Sequence, residues 1–212
     1  VTGEAVFRPL TPVLRRRLTD WLAEYVAEPH PELGRPGAVC PFVRPAQRAH
    51  CLELVRVRWP ADGDVAQLVR LTQRLMDRFE ARLPQSPNPA LASVICVFDG
   101  MRPESYHLVD EAHARIKGAA VARGMMLGQL HPDCPAAAAR NPAFPVNRAP
   151  VPMMAVRRMA FHDILFLHRD PVWFETYRAR FGSHYLAAHR VEPELVRLFD
   201  SGALLAAGGS FC

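Results

Sequence analysis

The stretch His113–Pro132, HARIKGAAVARGMMLGQLHP, decides the fold. Its first half continues a helical pattern that begins near Pro103, and Gly124 suits the left-handed stop at a helix end. Its second half, MMLGQLH, is an apolar run of strand length. A long helix therefore feeds a strand, and the strand ends on a histidine followed by a proline. The same alternation runs outward on both sides. Upstream, Thr11–Glu28 reads as a helix with Thr11 as cap and Pro12 at its first position. CLELVRVRW (Cys51–Trp59) alternates with period two as a half-buried strand, and Asp64–Leu83 is a long amphipathic helix. LASVICVFDG (Leu91–Gly100) is a buried strand. Downstream, VPMMAVRRMAF (Val151–Phe161) is a fourth strand, Pro171–Phe181 a helix, and SHYLAAHR and PELVRLFDSG two short terminal helices.

This order predicts an α+β fold in a single domain, residues 1–212. Its sheet has four to five strands, mostly antiparallel, with helices packed mainly on one face. Proline-rich loops lie between Pro29 and Gln47 and between Pro132 and Pro150, and neither reads as a domain linker.

Half of the 212 residues are hydrophobic and 22% are charged, the balance of a globular chain. No apolar run reaches the roughly 18–20 residues of a membrane helix. The opening VTGEAVFRPLTPVLRRR lacks the basic-then-apolar order of a secretory leader, so a cytoplasmic protein without membrane segments is expected. The net charge of +5 does not signal nucleic acid. Of the 26 basic residues only Lys117 is a lysine, and the arginines are dispersed among acids. Arg15–Arg17 sit on an amphipathic helix, and no zinc-finger, RNA-recognition or helix-turn-helix pattern accompanies them. The five cysteines are odd in number and contain no C-x-x-C, which argues against a disulfide framework or structural zinc. Dinucleotide, Walker A, G-x-S-x-G and H-E-x-x-H patterns are absent.

Four blocks in order, CPFV (Cys40–Val43), MMLGQLHP (Met125–Pro132), NPAFPVNRAPVPMMAVRRM (Asn141–Met159) and DILFL (Asp163–Leu167), resemble a bacterial family common in natural-product gene clusters. The resemblance spans about residues 31–181. That family is distantly similar to the YqcI/YcgG-type proteins, which include haem-dependent oxygenases that hydroxylate amine and guanidine nitrogens. The resemblance implies haem b, with His131 as axial ligand and Cys40 as the rival ligand. It also implies an enclosing loop with Phe144 and Met153, and charged groups for the propionates or the substrate among Arg148, Arg157, Asp163 and Lys117.

Each residue carries a plainer reading beside this one. His131 suits a core imidazole bonded to a carbonyl, and Cys40 a small packed thiol or a nucleophile. Arg148 and Arg157 suit solvated strand ends, and Asp163 a turn cap. Lys117 suits a helical pair with His113 or Glu111. The leading expectation is an N-hydroxylating haem oxygenase of secondary metabolism, with an amine or guanidine substrate, an electron donor and a homodimeric state. The alternatives are a non-catalytic small-molecule or carrier-protein binding module, and a cofactor-free cysteine enzyme.

Overall fold

The strands pair where the alternating patterns place them. The computed structural model describes residues 7–208. The architecture is α+β, a five-stranded mixed, mostly antiparallel sheet with seven α-helices among the described residues. Strands β1 (Arg8–Pro9), β2 (Leu52–Arg58), β3 (Ser93–Asp99), β4 (Met125–Leu130) and β5 (Met153–Arg158) lie in the order β1-β2-β3-β5-β4. β1 runs antiparallel to β2, β2 parallel to β3, and β3 antiparallel to β5. Pro9 sits on the edge strand, where a missing N–H costs least. The helices are α1 (Pro12–Trp21), α2 (Val43–Arg48), α3 (Val65–Arg82), α4 (His107–Ala122), α5 (Ile164–Leu167), α6 (Pro171–Phe181) and α7 (Pro193–Gly208). The chain resolves into two compact units, residues 1–117 with 127–158, and residues 118–126 with 159–212.

In the first unit the pleat of β3 sorts its side chains between two helices. Ile95 and Val97 pack with Leu18 of α1, with Leu22 and with Met153. Val94 and Cys96 face the other way, on the side where Glu53 of β2 bonds Arg78 of α3 at 2.6 Å. Helices therefore cover both faces of the sheet, and the expectation of one main face gains α1 as a second layer. Thr11 caps α1, its Oγ1 accepting from the Leu14 amide at 3.3 Å, and Asp64 caps α3 in the same way at 2.7 Å. α1 ends earlier than the pattern suggests. Leu22–Val26 form one π turn, closed by the Ala27 amide on the Leu22 carbonyl at 2.9 Å. The wider turn inserts one residue into the helical register.

The second proline-rich loop leaves β4 at His131 and returns to it. The Ala149 amide donates to the His131 carbonyl at 3.1 Å, and His131 bridges Arg148 in parallel. Its far side is tied to the first loop. Asn141 donates to the Glu32 carbonyl at 2.7 Å, Tyr25 to the Val146 carbonyl at 3.0 Å, and His30 stacks on Phe144 at 4.4 Å.

The second unit has its own core of Val121, Met126, Met159, Ile164, Leu167, Phe174, Tyr177 and Leu195. Asp170 caps α6 through the Trp173 amide at 3.0 Å. Gly202 of α7 lies against the Phe174 ring, and a Cβ there would stand 2.4 Å from a ring carbon. The Tyr177 hydroxyl donates to the Phe161 carbonyl at 2.6 Å and accepts from Tyr185 at 2.8 Å. The expected helix over Ser183–Arg190 is instead part of a 3-10 segment, Gly182–Arg190, kinked at Ala187. No helix among the described residues is long and apolar enough to cross a membrane.

Candidate functional site

His131 closes β4 and begins a tight turn. The Cys134 amide donates back to the His131 carbonyl at 3.1 Å, and Pro132 occupies the second turn position, where its fixed φ is favourable. The turn swings the Cys134 side chain back toward the His131 ring. Asp110, in the first turn of α4, meets both. Its Oδ2 lies 3.0 Å from His131 Nε2, and its Oδ1 takes the Cys134 thiol at 3.8 Å. Cys134 Sγ also lies 3.6 Å from the Gln129 carbonyl. The ring of Tyr106 is tilted against His131 with centroids 5.6 Å apart.

Burial sets the electrostatics. His131 is 2% exposed and Cys134 fully buried, while the Asp110 side chain keeps 29% of its surface. Asp110 is therefore the opening of the site. With Nε2 against the Asp110 carboxylate, Nδ1 is the ring's other polar atom. That atom is buried and has no hydrogen-bond partner among the described residues, an orphaned polar atom of the kind that native interiors rarely leave. Burial, with the nearby Asp110 carboxylate, pushes the Cys134 thiol up to about 11. Cys134 is thus a thiol rather than a nucleophilic thiolate in this state.

The three donors, one oxygen, one nitrogen and one sulfur, all lie within 4.8 Å of one another. Tetrahedral ligands of zinc sit roughly 3.3–3.8 Å apart, from metal–ligand bonds of about 2.0–2.3 Å. The widest pair would have to close by about 1 Å at most and the Asp110–His131 pair, at 3.0 Å, to open slightly, to give a three-ligand set with a fourth position open.

The residues expected to enclose a haem do not converge in the same way. Leu130 and Met153 pack into the α1 cluster, and Cys40 lies against it, its amide on the Val26 carbonyl at 2.9 Å. His131, the next residue after Leu130, points to Asp110 instead, because successive side chains leave a strand on opposite faces. Phe144 packs with Leu33 and Ala138 and stacks on His30. Met153 and Cys40 share one cluster while His131 turns to the other face, so these residues fit a flat macrocycle with His131 as its ligand poorly.

The charged candidates also separate. Arg148 is exposed, and its backbone rather than its side chain is placed beside His131. The Arg157 guanidinium lies 4.6 Å over the Phe42 ring and donates to the Arg158 carbonyl at 2.9 Å. Asp163 belongs to the second unit, is 1% exposed, and accepts from the Ala160 amide at 2.7 Å, the contact of a turn cap. Lys117 is half-buried on α4, one turn from His113. Cys212 lies outside the described residues.

Asp110 and Cys134 do not emerge from the sequence as candidates. The signal that points to Cys134 is the H-x-x-C spacing across Pro132, which one tight turn brings together. Asp110 carries no local signal, since its role depends on α4 packing against the end of β4.

The chain belongs to the family described as Domain of unknown function (DUF6875), whose model matches residues 15–192. No curated protein and no solved structure matched it.

Proposed function

We propose that this family member is a metal-dependent enzyme of small-molecule metabolism whose centre is Asp110, His131 and Cys134. The observation that carries the reading is the convergence of one carboxylate, one imidazole and one thiol within 4.8 Å in a nearly closed interior. Mixed sulfur, nitrogen and oxygen donors suit zinc, and three protein ligands with an open fourth position are the pattern of catalytic rather than structural sites. A zinc ion there supplies a Lewis acid and an acidified water. The chain's own groups do the rest. The tight turn at Pro132 fixes Cys134, and the exposed edge of Asp110 admits the substrate.

The test is metal content of the purified chain and zinc titration by calorimetry. One equivalent of zinc in the wild type, lost in Cys134→Ser and His131→Ala, is the expected result. Full retention in both variants overturns the reading.

The haem-dependent N-hydroxylation implied by the sequence resemblance is the second reading. One observation favours it. A carboxylate on one ring nitrogen, with the other nitrogen unpartnered among the described residues, is how an axial histidine is oriented and made basic. The placement of His131 on the face away from the Met153 and Cys40 cluster counts against it. A haem titration decides, because a sharpened Soret band abolished in His131→Ala is specific to this reading.

A further inference from the structure

A cavity of about 280 Å³ lies in the first unit, and none of Asp110, His131 and Cys134 lines it. It opens where the parallel strands β2 and β3 begin, beside the end of α3 and the loop that leaves it. Its floor is apolar, made by the buried side chains of Phe79, Ala92 and Val94. Its rim is polar and is carried by His50, Arg82, Ser86 and Ser93. An apolar hollow with a few polar groups on its rim is the usual form of a small-molecule site, and this volume falls near the lower end for one.

The charges at the rim leave one guanidinium to spare. Glu53, on the cavity wall, is held by Arg78, whose Nη2 donates to Oε1 at 2.6 Å and whose Nε donates to Oε2 at 3.3 Å. Arg82 stands one turn further along α3 and reaches the same carboxylate only through Nε, at 3.3 Å. Two arginines thus share one acid, and the terminal amino groups of Arg82 have no protein partner among the described residues. They form the flat pair of donors that a carboxylate accepts side by side. The carbonyls at the end of α3 are engaged within the chain: the Leu83 amide donates to the Glu80 carbonyl, and the Ser86 amide to the Leu83 carbonyl at 3.1 Å. The backbone is strained at the same mouth. His50 has φ +53°, the only non-glycine residue with a positive φ among the described residues. It follows α2, where the Cys51 amide closes on the Ala46 carbonyl at 2.8 Å, a helix-end position that glycine ordinarily fills. A histidine there costs stability relative to glycine and sets an imidazole on the cavity's edge.

We propose that this cavity is a second ligand site, which takes a small monocarboxylate with an apolar body. The carboxylate lies on the terminal amino groups of Arg82, the body on Phe79 and Val94, and His50 closes the mouth. The single surplus positive charge suits a monoanion better than a phosphate ester, which carries nearly two charges at neutral pH. The proposal stands apart from the metal reading, since the two sites share no residue.

The test titrates the full chain with benzoate, followed by calorimetry and by backbone amide shifts in nuclear magnetic resonance. Saturable binding at one equivalent is expected, with the shifted amides grouped around His50, Ser86 and Ser93. Benzyl alcohol, which has the same ring and no charge, should bind about 10-fold or more weakly than benzoate, and Arg82→Met should weaken benzoate by a similar factor. The Arg82 side chain is 55% exposed, so its loss leaves the urea midpoint nearly unchanged. His50→Gly separates binding from folding, because relief of the positive φ raises the urea midpoint while benzoate binding weakens. No saturable binding, shifts grouped elsewhere, or equal benzoate affinity in wild type and Arg82→Met overturns the proposal. Phenyl phosphate bound more tightly than benzoate overturns the assignment to a monocarboxylate.

Discussion

Asp110 holds the site together at the scale of single residues, since it touches both His131 and Cys134. Asp110→Asn keeps the shape but removes the charge that a divalent ion requires. Zinc affinity is expected to fall by roughly 10–100-fold or more, measured by competition with a chromophoric chelator. His113 gives a second prediction, with its sign set by burial. Its imidazole lies at about 4 in the folded chain and near 6.5 when unfolded. As pH falls from about 6.5 towards 4, the unfolded state takes up a proton that the folded state refuses, so stability declines across that window and is unaffected above it. In His113→Gln the decline between pH 6.5 and 4 flattens, as read from urea midpoints. An unchanged slope sinks the assignment. His131 is legible in the sequence because a histidine closing an apolar strand before a proline is unusual. Asp110 is not, because an aspartate in a helix's first turn is ordinarily explained by the helix dipole.

Elements were legible wherever periodicity and caps agreed. Thr11, Asp64 and Gly124 mark real ends, and α6 spans Pro171–Phe181 as its pattern predicts. The misses are departures that composition does not encode. The π turn at Leu22–Val26 sits where Tyr25 reaches the distant Val146 carbonyl, a tertiary contact. The 3-10 segment at Gly182–Arg190 kinks where Tyr185 turns to stack on Phe199 at 4.0 Å. The α6–α7 pairing yields its own prediction. The pattern ends this helix at Gly202, but α7 runs on to Gly208 and Gly202 stands inside it, where the Phe174 ring requires a glycine. Gly202→Ala raises helix propensity and still destabilises, by about 1–3 kcal/mol, since the added methyl overlaps a rigid aromatic ring. Equilibrium urea unfolding measures it, and a gain in stability contradicts the packing.

At the scale of the molecule, ligand linkage connects the centre to stability. Zinc at 100 times its dissociation constant adds about 2.7 kcal/mol to a chain that binds it only when folded. Thermal unfolding should shift upward with zinc and return with a chelator, and Cys134→Ser should show neither change. The mixed sheet was legible from the order of patterns, but its strand order was not. β5 inserts between β3 and β4, and no local signal in Met153–Arg158 distinguishes that place from an edge. The division into two units was equally hidden, because residues 118–126 leave no compositional seam.

That interleaved path bears on how the chain is made. On a ribosome the first unit is complete in sequence once Arg158 has emerged, but Val121 and Met126 then wait for core partners that lie beyond Met159. At about 5–20 residues per second the wait lasts several seconds. During vectorial synthesis the nascent chain therefore carries an unmet apolar segment between the two stretches of the first unit, and there a co-translational holdase would find its hold.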